Sequence, residues 1–194
     1  MSPFPISFCA LFFATSCMVQ APLQNIVWAD ENQDVMSFNG IDSGFFIEEN
    51  PVADMSVFTI ELRIRPDADG AYEQRFFHFE DTLSNRGLLE LRLHSDSTWS
   101  LDTFLYNHAT GERLTLLDTS RRHPSEEWTW VALSYDGKTM RHYVNGKEEA
   151  SGEIFFPLTT VGRTSIGMRQ NRVSWYKGQI SHIHIHNHLK ITSS

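Results

Sequence analysis

The chain has 194 residues, 41% of them hydrophobic, which is enough to bury the core of one domain of ordinary size. A formal net charge of −8 argues against nucleic acid as a partner. The charge is unevenly spread: residues 30–60 carry Asp30, Glu31, Asp34, Asp42, Glu48, Glu49 and Asp54 with no Lys or Arg, whereas residues 154–194 carry five bases and no acid.

Residues 1–29 contain no Asp, Glu, Lys or Arg, and within them the run ISFCALFFATSCMV from Ile6 to Val19 is too short to span a bilayer comfortably. It has the length of a signal-peptide core, and V-W-A followed by D-E-N-Q reads as a cleavage site between Ala29 and Asp30. The expectation is a signal peptide over 1–29 and a mature domain over 30–194 that is secreted or held in the cell envelope or periplasm. A bacterial lipoprotein box ending at Cys17 (FATSC) is the weaker alternative. Both cysteines, Cys9 and Cys17, fall in this leader, so the mature domain has no disulfide or thiol chemistry and must rely on its core. No segment after the leader is apolar enough to cross a membrane as a helix.

From there the sequence reads as short runs of Phe, Ile, Val, Leu, Trp and Tyr between turn signals. They are Val35–Phe38, Gly44–Ile47, Phe58–Arg65, Tyr72–Phe79, Leu88–Leu93, Trp99–Tyr106, Arg113–Leu117, Trp128–Tyr135, Met140–Val144, Ile154–Phe156, Thr164–Met168 and Gln179–His186. In Phe58–Arg65 the apolar residues alternate with polar ones, the mark of a half-buried strand. Asp136-Gly137 and Asn145-Gly146 supply residues that tolerate the positive φ of tight hairpins. Roughly a dozen antiparallel strands in one domain imply an all-β, two-sheet jelly-roll sandwich.

Several of these pieces, in order, resemble the laminin-G-like jelly rolls of the concanavalin A-like lectin/glucanase superfamily. They are Met36–Ile47 (MSFNGIDSGFFI), Phe58–Pro66 (FTIELRIRP), Glu127–Lys147 (EWTWVALSYDGKTMRHYVNGK), Ser165–Met168 (SIGM) and Tyr176–Asn187 (YKGQISHIHIHN). The resemblance implies two curved antiparallel sheets and no particular activity, since relatives include carbohydrate-binding modules, adhesion domains and glycosidases. It also implies that Trp128 is a packing residue. The hydrolase signature E-x-D-x-x-E is absent, and Glu61 with Arg63 and Arg65, like Glu90 with Arg92, reads as a charged outer face. The expectation is therefore not an enzyme.

Sugar recognition in such folds stacks an aromatic ring on a pyranose and surrounds it with planar polar groups. The best candidate is the loop Met168–Lys177, with Trp175, Arg169, Gln170, Asn171 and Arg172; Trp99 and Trp130 are further aromatic candidates, and Tyr106, Asn107 and His108 a weaker set. Calcium is a companion the resemblance implies, and Asp34, Asn39 and Asp42 are the oxygen-bearing residues in place for it, although Ser181 and His182 stand where relatives carry oxygen-rich side chains. No other cofactor is expected.

The closing stretch Ser181–His188 (SHIHIHNH) places imidazoles at a period of two. Ile183 and Ile185 are expected to face the core, leaving His182, His184 and His186 on the wet face beside an acidic first strand. A transition-metal site on His182, His184 and His186 is the sharper alternative, weakened because residues two apart on one strand lie about 6.6–6.8 Å apart. The leading function is exported, non-catalytic binding of a polysaccharide, glycoconjugate or matrix glycan, in particular an anionic one. A protein-interaction or adhesion domain with an extracellular protein partner is the alternative, and a divergent glycosidase or polysaccharide lyase ranks third.

Overall fold

A computed structural model describes residues 26–29 and 35–190; the leader expectation therefore falls largely outside the described residues. Among these residues there is no helix, and fourteen strands form two antiparallel sheets. The strands are β1 (Ile26–Ala29), β2 (Met36–Asn39), β3 (Phe45–Ile47), β4 (Phe58–Pro66), β5 (Glu73–Asp81), β6 (Arg86–Leu93), β7 (Thr98–Tyr106), β8 (Arg113–Leu117), β9 (His123–Pro124), β10 (Thr129–Tyr135), β11 (Thr139–Val144), β12 (Lys147–Glu153), β13 (Gly162–Ile166) and β14 (Lys177–His186). The first sheet runs β1-β14-β4-β10-β11-β12 with β2 also on β14, and the second runs β3-β13-β5-β6-β7-β8 with β9 also on β7. This is the expected two-sheet jelly roll, in which chain neighbours and sheet neighbours repeatedly differ.

The inner faces meet in one apolar core. Ile60, Leu62 and Ile64 of β4, Phe77 and Phe79 of β5, Leu89 and Leu91 of β6, Val131 and Leu133 of β10, and Ile180, Ile183 and Ile185 of β14 are all buried. Phe58, Phe79, Tyr135 and Phe156 pack edge-on or tilted, with centroids 5.8–6.3 Å apart.

Two bulges decide which side chains face outward. The register of β5 on β6 slips between Arg75 and Phe77, so Phe76 and Phe77 both go into the core while Arg75 and His78 face out. The register of β14 on β4 slips between Ile180 and His182, which keeps Ile180, Ile183 and Ile185 inside together. At Gly178 (φ 143) a Cβ would run into the Arg65 carbonyl oxygen, which explains why the Tyr-Lys-Gly turn needs glycine there.

The observed strands depart from the expected ones in two places. Ile154–Phe156 is not a strand: Ile154 and Phe156 are buried in an irregular segment tied down by Tyr135, whose hydroxyl donates to the Ile154 carbonyl (3.1 Å) and accepts from the Phe156 N–H (3.0 Å). The polar segment Lys147–Glu153, with no apolar pattern to reveal it, pairs as β12 on β11 because the Asn145-Gly146 turn delivers it there.

Candidate functional site

The outer face of the second sheet carries a ladder of charges. Register sets Glu73 opposite Arg92, Arg75 opposite Glu90, and Glu90 opposite Asp102. Alternation along β6 turns Glu90 and Arg92 away from the core side of Leu89, Leu91 and Leu93. Arg75 Nε lies 2.9 Å from Glu90 and its guanidinium also pairs with Glu73, while Arg92 reaches Asp102 (2.5 Å), Glu90 (3.4 Å) and Glu73 (3.7 Å). Three carboxylates thus share two guanidiniums. The Asp102 and Glu90 side chains are only 1% and 5% exposed, whereas Glu73 is 43% exposed at the rim.

Burial pushes the Glu90 carboxyl up to about 7; Arg75 and Arg92 pull it down, and Asp102 and Glu73 push it further up. Burial likewise lifts Asp102 to about 6 against the pull of Arg92 and Arg75. With one negative charge in excess, the ladder holds a proton on a carboxyl in mild acid.

Above the ladder, His78 and Glu80 of β5 approach within 3.4 Å, and burial holds the His78 imidazole below its usual range despite Glu80. Arg86 lies over the Tyr106 ring (4.2 Å to its centroid) and 6.0 Å from that of Phe104.

The loop between β13 and β14 settles along β5 next to this ladder. Gln170 N–H donates to His78 Nδ1 (3.2 Å) and its side-chain amide to the Arg163 carbonyl (2.9 Å), while Gln170 Oε1 accepts from Arg163 Nε (3.0 Å). Further on, Arg75 N–H donates to the Ser174 carbonyl (2.9 Å), and Trp175 forms a parallel bridge with Arg75. The positive charge of Arg169 acts on both Glu73 and His78.

The predicted binding residues therefore divide. Arg169 and half-buried Trp175 stand beside the ladder, and Gln170 is spent on holding the loop. Arg172 turns toward Phe46 (5.9 Å), and Asn171 is exposed at the tip. Arg172 (φ 60) and Ser174 (φ 52) occupy left-handed backbone, which lets the loop close with Arg169 N–H on the Val173 carbonyl.

The other aromatic candidates lie elsewhere. Trp99 is a core residue, wholly buried with its indole N–H donated to the Pro124 carbonyl (3.1 Å). It cannot serve as a sugar platform. Trp130 belongs to the outer face of the first sheet, 5.3 Å from His182 and 5.7 Å from His184. Trp128 is half-buried beneath Arg63, 5.2 Å from its ring. Asn107 is buried and caps a turn, donating to the Phe155 carbonyl and accepting from Ala109 N–H.

On the calcium set, Asp34 lies outside the described residues. Asn39 Oδ1 already accepts from Ile41 N–H (2.9 Å), Asp42 N–H (3.1 Å) and Ser43 Oγ (2.9 Å), and Asn39 Nδ2 donates to Asp42 Oδ1 (2.8 Å). Asn39 Oδ1 is thus committed to an Asx turn, which Asp42 joins through its Oδ1.

The wet-face expectation for the histidines is corrected. Ile183 and Ile185 do face the core, but His182 and His186 are each only 4% exposed, and His184 is half-buried. Trp130 packs beside the row, neighbouring imidazoles stand 5.7 and 6.1 Å apart, and the tail bends over with the His188 carbonyl accepting from Thr59 Oγ1. Glu61 is likewise buried rather than part of an open charged face, with His186 Nε2 3.3 Å from its carboxylate.

Sequence reasoning passed over Arg75, His78 and Asp102. The available signal was weak: Glu73 and Arg75 alternate in Tyr72–Phe79, but the bulge that brings His78 to the same face is invisible in a pattern of period two.

A two-sheet jelly roll with one charged face and a loop laid along it defines the class of protein. Residues 39–191 match the laminin-G-type model of the concanavalin A-like lectin/glucanases superfamily, and the chain belongs to that family. Among curated proteins none matches this sequence. Solved structures share the fold at low identity. A heptameric SAP-like pentraxin from Limulus polyphemus is 17% identical, with 79% of this chain and 76% of that chain covered and a TM-score of 0.61. The CBM40 domain of the Ruminococcus gnavus IT-sialidase, bound to α2,3-sialyllactose, is 17% identical, with 84% and 92% covered and a TM-score of 0.64. Domain 4 of the arabinanase AbnA from Geobacillus stearothermophilus, in complex with arabinotriose, is 19% identical, with 83% and 81% covered and a TM-score of 0.55.

Proposed function

We propose that this chain is an exported, non-catalytic glycan-binding module whose site is the outer face of β5–β7 with the 169–175 loop. The observation that carries this reading is the placement of Arg169 and Trp175 against the Glu73–Arg75–Glu90–Arg92–Asp102 ladder. Arg169, which adds a positive charge beside a ladder whose own guanidiniums are already paired, suits a pyranose with an anionic substituent, because guanidinium pairs with carboxylate or sulfate in a planar, directional way. The sialyllactose and arabinotriose bound by the similar solved domains support a sugar as the ligand class. Export rests on the leader reading. Cleavage after Ala29 would remove β1, which pairs with β14, so mass spectrometry of the mature N-terminus tests it.

The binding test is retention of the purified chain on neutral and acidic polysaccharides, with and without EDTA. Retention on acidic polymers, lost in an Arg169→Ala/Trp175→Ala variant that still folds, is the expected result. Unchanged retention in that variant would move the site elsewhere. Loss with EDTA that calcium restores and zinc does not would point to calcium, and no retention on any polymer would favour a protein-facing adhesion domain.

A second reading, a divergent glycosidase or lyase, is favoured by one observation: Glu90 and Asp102 stand opposite each other with one carboxyl protonated in mild acid. Both carboxylates are engaged by Arg92, which suits holding charge better than attacking a bond. Release of reducing ends or of ultraviolet-absorbing unsaturated sugars would establish this reading.

A further inference from the structure

On the other sheet, away from the charged ladder, the histidine row meets an acid from the neighbouring strand. Register places His184 directly opposite Glu61 and His186 opposite Thr59, two residues along on the same face, and His186 Nε2 comes within 3.3 Å of the Glu61 carboxylate. A ligand atom from each of Glu61, His184 and His186 lies within 4.8 Å of the other two. We propose that these three side chains form a binding site for a divalent transition-metal ion of the zinc class, with His182 outside it.

The geometry supports the ion as well as the set. Two donors each about 2.0–2.1 Å from a tetrahedral ion lie roughly 3.3 Å apart. His186 Nε2 and the Glu61 carboxylate already stand 3.3 Å apart. The ligand atom of His184, the half-buried member, lies within 4.8 Å of the other two and must draw closer to complete the third edge. Two imidazole nitrogens and one carboxylate suit zinc, cobalt, nickel or copper rather than calcium or magnesium, which prefer all-oxygen sets.

The spacing problem of imidazoles two apart on one strand is thereby resolved. Glu61 reaches across from β4 and supplies the convergence that β14 alone lacks. Such an ion would staple the last strand of the fold to the sheet interior, and three protein ligands would leave a tetrahedral ion one open position.

The test is titration of the full metal-free chain with Zn²⁺ by calorimetry and with Co²⁺ by visible absorption, comparing Glu61→Gln, His184→Ala and His182→Ala. One ion per chain is expected. Glu61→Gln and His184→Ala should each weaken binding by at least about tenfold, the lower end of what loss of even an outer-shell partner costs. His182→Ala should stay within about threefold, since it removes no ligand. Zinc should raise the thermal midpoint of the unmodified chain and not that of Glu61→Gln. Binding that survives Glu61→Gln, or that falls equally in His182→Ala, would overturn the site in favour of loose chelation by the imidazole row. No binding would overturn it outright. Should His184→Ala fail to fold by circular dichroism, the near-isosteric Glu61→Gln decides alone.

Discussion

Trp99 shows how much one side chain can carry. Its indole is buried in the core at the start of β7, packs tilted at 4.9 Å against His123 and gives its single N–H to the Pro124 carbonyl, so the ring both packs and pins the short strand β9. Trp99→Ala should cost about 3–5 kcal/mol, the range for deleting a buried aromatic, as measured by urea unfolding. Folded Trp99→Ala protein should keep its glycan retention, because the ring does not touch the charged ladder. In sequence Trp99 and Trp175 look alike, each an aromatic beside a polar turn. Only packing makes one a core residue and leaves the other half-buried beside the ladder.

Among elements, the three-strand ladder of β5, β6 and β7 has a consequence for pH. In an unfolded chain Glu90 titrates near about 4.3, whereas in the fold burial carries it to about 7. Between those values the folded chain holds a proton that the unfolded chain has released. The contribution to stability is fully present below the lower value and is lost as pH rises through about 7. Glu90→Gln should therefore flatten the decline in stability between pH 4.5 and 7 by on the order of 2 kcal/mol. Urea unfolding of both proteins across that range checks it, and parallel curves would contradict it. Glu90 and Arg92 were legible as outward-facing charges from the alternation in Leu88–Leu93. Their partners were not, because Arg75 and Asp102 come from other strands and register is set by turns and bulges.

At the scale of the whole molecule, the two sheets also meet through a polar contact. His142 of β11 is buried, and its Nδ1 lies 3.0 Å from Thr103 Oγ1 of β7. Burial drives this imidazole down to about 4, outweighing the nearby Glu149 and Asp118 charges. Its folded value lies below its unfolded value of about 6.5, so the stability it contributes is present above about 6.5 and lost as pH falls through about 4. Acid should therefore loosen the contact between the sheets. His142→Gln, which keeps a polar partner for Thr103 and cannot take up the proton, should lessen the acid loss by on the order of 2 kcal/mol. Thermal midpoints from pH 7 to 4 read this directly.

The amino-acid sequence by itself determined the strand-and-turn character of the chain, because alternating apolar residues and Asp-Gly or Asn-Gly turns are local signals. It also determined the jelly-roll class, since so many short strands in one domain can bury their faces only by packing sheet on sheet. Tertiary structure alone decided which outward charges meet. It brought Glu73, Arg75, Glu90, Arg92 and Asp102 into one ladder and laid the 169–175 loop beside it. It set Glu61 against His184 and His186, and buried imidazoles that a period of two had placed in water. The reason is physical: a strand's own sequence fixes which face a side chain takes, but its neighbours across the sheet come from segments tens of residues away.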